Sequence, residues 1–222
     1  MKRNKAIKRL FWLLIPLALI ACKQEKKQTA KISGLPYYNK PDFMPLWLSR
    51  EDAQKQNVHS IPGFCFINQL GDTITQKDYD GKVYVADFFF TSCPSICPAI
   101  THHLKIVADT FATDSDVKFI SYSVTPWIDS VPVLKKFADD YGIKASQWNL
   151  VTGNQSEIYT LARQSYFAEE EPGFKRDSSE FLHTEHLVLV DKDKHIRGLY
   201  NGTVKLEASR LIKDIRILER ED

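Results

Sequence analysis

Between Lys82 and Phe90 the chain is almost wholly apolar and rich in β-branched and aromatic residues, the signature of a strand covered on both faces. Val117–Val124 repeats that pattern, and Asn149–Val151 gives a shorter version. Apolar residues at helical spacing (Ile100, Leu104, Val107, Ala108 and Phe111) predict a helix over Pro98–Ala112. A second helix is predicted from Asp129 or Ser130 as cap, with Pro132 in its first turn, to Gly142. Asn154 with Glu157 three residues later opens a third, running to about Tyr166. Gly63–Asn68 alternates and turns through Gln69–Asp72 into Thr73–Thr75, a hairpin. Glu185–Val190 and His195–Asn201 form another hairpin, and Lys205–Leu218 closes as an amphipathic helix. The polar segment Ala168–Glu180, with Pro172-Gly173, is a loop. Strands alternating with helices, followed by an antiparallel hairpin, predict an α/β fold with a mixed sheet.

The N-terminus breaks this pattern. Met1–Arg9 is basic and Leu10–Ala21 is apolar apart from Pro16. An apolar run of about 12 residues spans about 18 Å as a helix, too short for a ~30 Å hydrocarbon core, so it reads as an export signal. Its end, Leu19-Ile20-Ala21-Cys22, resembles a bacterial lipobox, which makes Cys22 the acylated first residue of the mature chain; a free cysteine after an ordinary signal peptide is the other reading. The organisation expected is a lipoprotein signal peptide at 1–21, a tether and surface-packing segment at 22–59, and one domain at 60–222. Pro36, Pro41 and Pro45 forbid a long helix in the second part. The domain then sits in the cell envelope, lipid-anchored to a membrane and facing the periplasm.

Composition narrows the function classes. Hydrophobic residues make up 43% and charged residues 26% of 222, ordinary globular values that exclude wholesale disorder. The whole chain carries +2, and five unopposed cations lie before residue 10, so the body is mildly acidic. It offers no electrostatic footprint for nucleic acid.

In α/β sheets chemistry gathers where a central strand's carboxyl end meets the next helix. Here that junction is Thr91-Ser92-Cys93-Pro94-Ser95-Ile96-Cys97-Pro98. Residues four apart on a helical turn lie about 5–6 Å from one another, which allows Cys93 and Cys97 a disulfide or a shared metal ion. The positive end of the helix favours thiolate over thiol. A purely structural disulfide across so short a loop would stabilise little. Cys65, inside an apolar strand run, reads as a small buried hydrophobe. Asp87 lies in the apolar strand six residues before Cys93. It is either a thiol-tuning carboxylate, as thioredoxin's buried aspartate at the same offset suggests, or one satisfied by nearby backbone. His59, His195, His102 and His103 read as solvated. His183 and His186 bracket the start of a strand, and alternation lets only one of them reach the thiols.

The segment Phe90-Thr91-Ser92-Cys93-Pro94-Ser95-Ile96-Cys97-Pro98 resembles the Phe-Thr-x-Cys-Pro-x-x-Cys-Pro segment of the Sco (SenC) family, thioredoxin-like copper-binding assembly factors for cytochrome c oxidase. Asp80-Gly81-Lys82-Val83, Ser123-Val124, and His183-Thr184 ahead of Leu187–Asp191 extend the resemblance over roughly 60–218. It implies a thioredoxin-like three-layer fold with a mixed central sheet and an N-terminal β-hairpin extension. It also implies copper, as Cu(I) or Cu(II), held by Cys93, Cys97 and His183. Two soft thiolates and an imidazole suit copper, whereas zinc would usually demand a fourth ligand. The partners implied are the copper-site subunit of cytochrome c oxidase and a thioredoxin-like reductant. The competing function is a thiol-disulfide oxidoreductase acting on exported thiols through Cys93 and Cys97, with Asp87 tuning them. One departure stands out: the family's Val-Asp-Pro after the second core strand is Val124-Thr125-Pro126 here, which alters a polar group near the site.

Overall fold

A computed structural model describes residues 34–168 and 184–221. Cys22, His183 and the signal segment lie outside the described residues. Nine strands form one sheet: β1 (Tyr37–Tyr38), β2 (Pro45–Leu46), β3 (Cys65–Asn68), β4 (Thr73–Thr75), β5 (Val83–Phe89), β6 (Val117–Ser123), β7 (Trp148–Thr152), β8 (His186–Val190) and β9 (Ile196–Asn201). Their order is β2-β1-β9-β8-β5-β6-β7-β3-β4. The central pairs β5–β6 and β6–β7 are parallel, and β5–β8 and β8–β9 are antiparallel. Among the described residues five α-helices accompany them: α1 (Arg50–Lys55), α2 (Cys97–Thr110), α3 (Val131–Tyr141), α4 (Gln155–Thr160) and α5 (Lys205–Leu218). This is the mixed α/β architecture expected.

All seven side chains of β5 are buried, so the alternation of its residues sorts them between two cores. Val83, Val85 and Phe89 pack with Leu104, Val107, Leu134, Leu211 and Ile215 of α2, α3 and α5. Tyr84, Ala86 and Phe88 pack on the other face with Tyr122, Ile158 and Tyr166. Three buried hydroxyls on that second face satisfy one another: Tyr166 lies 3.2 Å from Tyr84 and 3.1 Å from Tyr122, oxygen to oxygen.

The residues after 34 join the sheet. β1 pairs with β9, and Arg197 locks the strand in place. Its buried guanidinium meets Asp191 at 2.9 Å and Glu221 at 2.8 Å, and donates to the Leu35 and Pro36 carbonyls at 2.7 and 3.2 Å. Its charge also lies 4.0 Å over the centre of the Tyr37 ring.

The expectations for Cys65 and for three of the histidines fail. Cys65 is exposed, because in β3 it is Phe66 and Asn68 that turn inward. The Asn68 side chain accepts from Leu70 and Asp72 in the hairpin turn and donates to Asn149, so an amide replaces an apolar residue on the inner face. His195 is not solvated either. It is buried, with Nδ1 2.9 Å from the His59 carbonyl and its ring edge-on to Tyr37. His59 in turn places Nε2 2.8 Å from the Ser165 carbonyl. His102 is exposed, as expected, whereas the half-buried His103 reaches the Gly202 carbonyl at 2.8 Å.

Candidate metal and thiol site

Parallel β5 and β6 end side by side, so the loops leaving them meet at one edge of the sheet. The first, Phe90–Ile96, carries Cys93 and delivers Cys97 as the first residue of α2. Ile96 stands at the N-cap without a side-chain hydrogen bond to the helix, and Pro98 fills a first-turn position that needs no amide donor. The amides of Ser95, Ile96 and Cys97, leading into the helix, point at the Cys93 sulfur.

Both thiols are free, hydrogen-bonded to one another and largely covered, with 8% of Cys93 and 6% of Cys97 exposed. Their chemistry is unequal. Burial pushes the Cys93 thiol up, but the Cys97 amide and thiol and the Ser95 and Ile96 amides together hold it below its ordinary value. Burial and the bond to Cys93 push Cys97 up to about 12. The helix terminus therefore activates one sulfur of the pair rather than both.

Beneath the thiols lies Asp87, on the same face of β5 as Phe89 and fully buried. Its register partner on β6 is Ser121, whose hydroxyl donates to the carboxylate. That hydroxyl accepts from the Trp148 indole N–H at 2.8 Å. Burial raises the Asp87 carboxyl to about 7, with the Ser121 bond opposing the rise. Of the two readings of Asp87, backbone satisfaction has no support here: its partner is a side chain, and its charge is among those that raise Cys97.

The second loop, Val124–Ser130, adds a residue that sequence reasoning assigned elsewhere. Asp129 was a candidate cap for α3, but Ser130 occupies that position. The Asp129 carboxylate is completely buried and accepts from Thr91, Ser123 and Thr125. Only the spacing of Thr125 and Asp129 around Pro126 hinted at this, since Thr91 is 38 residues away in sequence.

His186 faces away from the thiols. It shares its side of β8 with Val188 and Val190, which belong to the core on the opposite face, and its ring stands edge-on to Phe43 at 6.3 Å. Among the described residues no three His, Cys, Asp or Glu side chains gather to hold a metal ion. The described part of the site is thus a dithiol with one carboxylate below it. Two adjacent soft sulfurs suit a thiophilic ion such as copper, and a third donor has to come from outside the described residues.

A family model described as SCO1/SenC matches residues 52–218. The chain belongs to the SCO1/SenC family. A SCO1 protein homolog of Bacillus subtilis is 32% identical over 160 residues, covering 71% of this chain and 82% of that protein. The crystal structure of a SCO1/SenC family lipoprotein from Bacillus anthracis superposes with a TM-score of 0.64 at 29% identity, over 73% of this chain and 96% of that one. BsSco, a member of the Sco family of cytochrome c oxidase assembly proteins in which a disulfide switch was identified, gives 0.62 at 30%, over 74% and 95%. Arabidopsis thaliana ScoI, solved with copper bound, gives 0.55 at 25%, over 70% and 97%. The thioredoxin-like fold of this Sco chain is shared with these structures.

Proposed function

We propose that this protein is a membrane-anchored copper chaperone that binds copper through Cys93, Cys97 and His183 and assists assembly of the dinuclear copper site of cytochrome c oxidase. The observation that carries the reading is the free, mutually hydrogen-bonded pair Cys93 and Cys97 at the carboxyl end of β5. Copper in a Sco relative and the oxidase-assembly role of BsSco support the choice of ion and acceptor. The seat of His186 on the other face of the sheet supports His183 as the third ligand. The lipoprotein relative supports an anchor at Cys22 in the cell envelope, with the domain on the periplasmic side.

Each residue has a distinct task in such a carrier. Cys93, held by three amides, is the sulfur that most readily gives up its proton to a metal. Cys97 keeps its proton until the ion arrives, so loading releases protons and tightens as pH rises. A disulfide between the two sulfurs would exclude the metal, which couples loading to the redox state of the pair.

Anaerobic copper titration of the reduced protein tests this. Stoichiometric binding should be lost in Cys93→Ser and in His183→Ala and kept in His186→Ala; binding that survives His183→Ala refutes the ligand set. A second reading, thiol-disulfide exchange with exported proteins or a thioredoxin-like reductant, is favoured by the split between an activated Cys93 and a reluctant Cys97. Steady dithiol turnover without metal selects it.

A further inference from the structure

Thr125 is one member of an arrangement centred on Asp129. Oδ1 and Oδ2 of Asp129 lie 3.4 and 3.3 Å from the Thr91 amide. The Thr91 hydroxyl donates to Oδ1 at 2.5 Å, and the hydroxyls of Ser123 and Thr125 donate to Oδ2 at 2.5 and 3.0 Å. Ser123 also accepts from the Thr125 amide at 3.2 Å. Four donors from the β5–α2 loop, the end of β6 and the β6–α3 loop thus converge on one carboxylate that is 0% exposed. None of these partners is a cation. A carboxylate so placed at the entrance of α3 could have capped that helix, yet it turns toward the thiol loop, and Ser130 makes no side-chain cap bond either.

The two sulfurs are held by different elements. Cys97 is fixed by α2, whereas Cys93 sits in the loop, whose first turn closes with the Cys93 amide 3.3 Å from the Phe90 carbonyl. Thr91 lies inside that turn. Fixing Thr91 therefore fixes the direction in which the chain leaves β5, and with it the place of Cys93 relative to Cys97. We propose that Asp129 is a positioning residue that, through Thr91, holds Cys93 against Cys97, with Ser123 and Thr125 bracing it from β6. The idea deepens the proposed function by naming what sets the geometry of the thiol pair.

A plain stabiliser of the fold would change melting temperature alone; a positioning residue also changes the effective concentration of one thiol at the other. The test uses the full chain in detergent with Cys22→Ser and Cys65→Ser, so that Cys93 and Cys97 are its only thiols. It is equilibrated without metal against glutathione. Two protein thiols and one glutathione disulfide give the Cys93–Cys97 disulfide and two glutathione thiols, two electrons passing to the glutathione disulfide. Asp129→Asn, which sets an amide group against the Thr91 and hydroxyl donors, should lower the equilibrium constant for disulfide formation by about tenfold or more. Thr91→Val should lower it in the same direction by less, because the amide contact remains. Tyr166→Phe, a destabilising change on the other face of the sheet, should lower the melting temperature and leave the constant within about twofold of wild type. Wild-type constants in folded Asp129→Asn and Thr91→Val overturn the proposal, as does a change in Tyr166→Phe equal to theirs. Should Asp129→Asn fail to fold, Thr91→Val and Asp129→Glu carry the same two outcomes. Because no metal enters the assay, its result is separate from the fate of the copper reading.

Discussion

The two faces of the central sheet bury polar groups in different ways. On the face of Tyr84 and Tyr122, three phenols meet at Tyr166 and close among themselves; burial raises all three well above their ordinary value, out of reach of any proton exchange near neutrality. On the face of Asp87 and the thiols, burial raises the carboxyl to about 7, and hydrogen bonds to the sulfur lower Cys93 below its ordinary value. The lesson is that burial of polar groups does not mark a site. A site is marked by burial that leaves a proton free to move beside a nucleophile or ligand.

This contrast can be broken most sharply at sulfur. Cys93→Ser should lower copper affinity by more than about a hundredfold, beyond what loss of an outer partner costs, as read by competition with a chelator. At pH 7 and without metal, alkylation followed by mass spectrometry should label Cys93 first, with Cys97 orders of magnitude slower, as a thiol near 12 requires; equal labelling would remove the asymmetry argued here.

The carboxyl offers the next largest effect. Its folded value is raised from 3.8 to about 7, so between those limits the folded chain holds a proton that the unfolded chain has released. Stability must then fall as pH rises from about 4 to about 7 and flatten above, by an amount on the order of 4 kcal/mol at 1.36 kcal/mol per pH unit. Denaturation of Asp87→Asn alongside wild type across that range should show a shallower loss than in wild type, with Glu219, also raised to about 7, contributing to both.

On the opposite face Tyr166→Phe deletes the shared partner of two buried phenols and should cost about 1–3 kcal/mol with copper affinity unchanged. A drop in affinity would mean that the two faces are coupled. The smallest effect belongs to Cys65→Ser, at an exposed position, which should stay within about 0.5 kcal/mol of wild type.

Most of the fold was legible because its strands and helices carry their own periodicity. Lys205–Leu218 matches α5 residue for residue, and β5, β6 and α2 differ from expectation by one or two residues at their ends. The thiol pair was legible because spacing and position need no long-range knowledge. Two of the failures share one cause, contact between distant segments. His195 is buried by His59, 136 residues away, and Asp129 is drawn from its cap by Thr91. Cys65 was misplaced for a local reason: with apolar residues at both parities the strand does not say which faces inward, and the turn decides it by requiring the Asn68 amide inside.

The Arg197 lock on Leu35, Pro36 and Tyr37 has a mechanical consequence. A pull transmitted from the preceding residues enters at β1, next to Glu221 near the other end of the chain, and is carried into β9 before it can reach the strands under the thiols. A load applied at Leu35 would thus be borne by Arg197 and the outer strands, and the two sulfurs would keep their spacing.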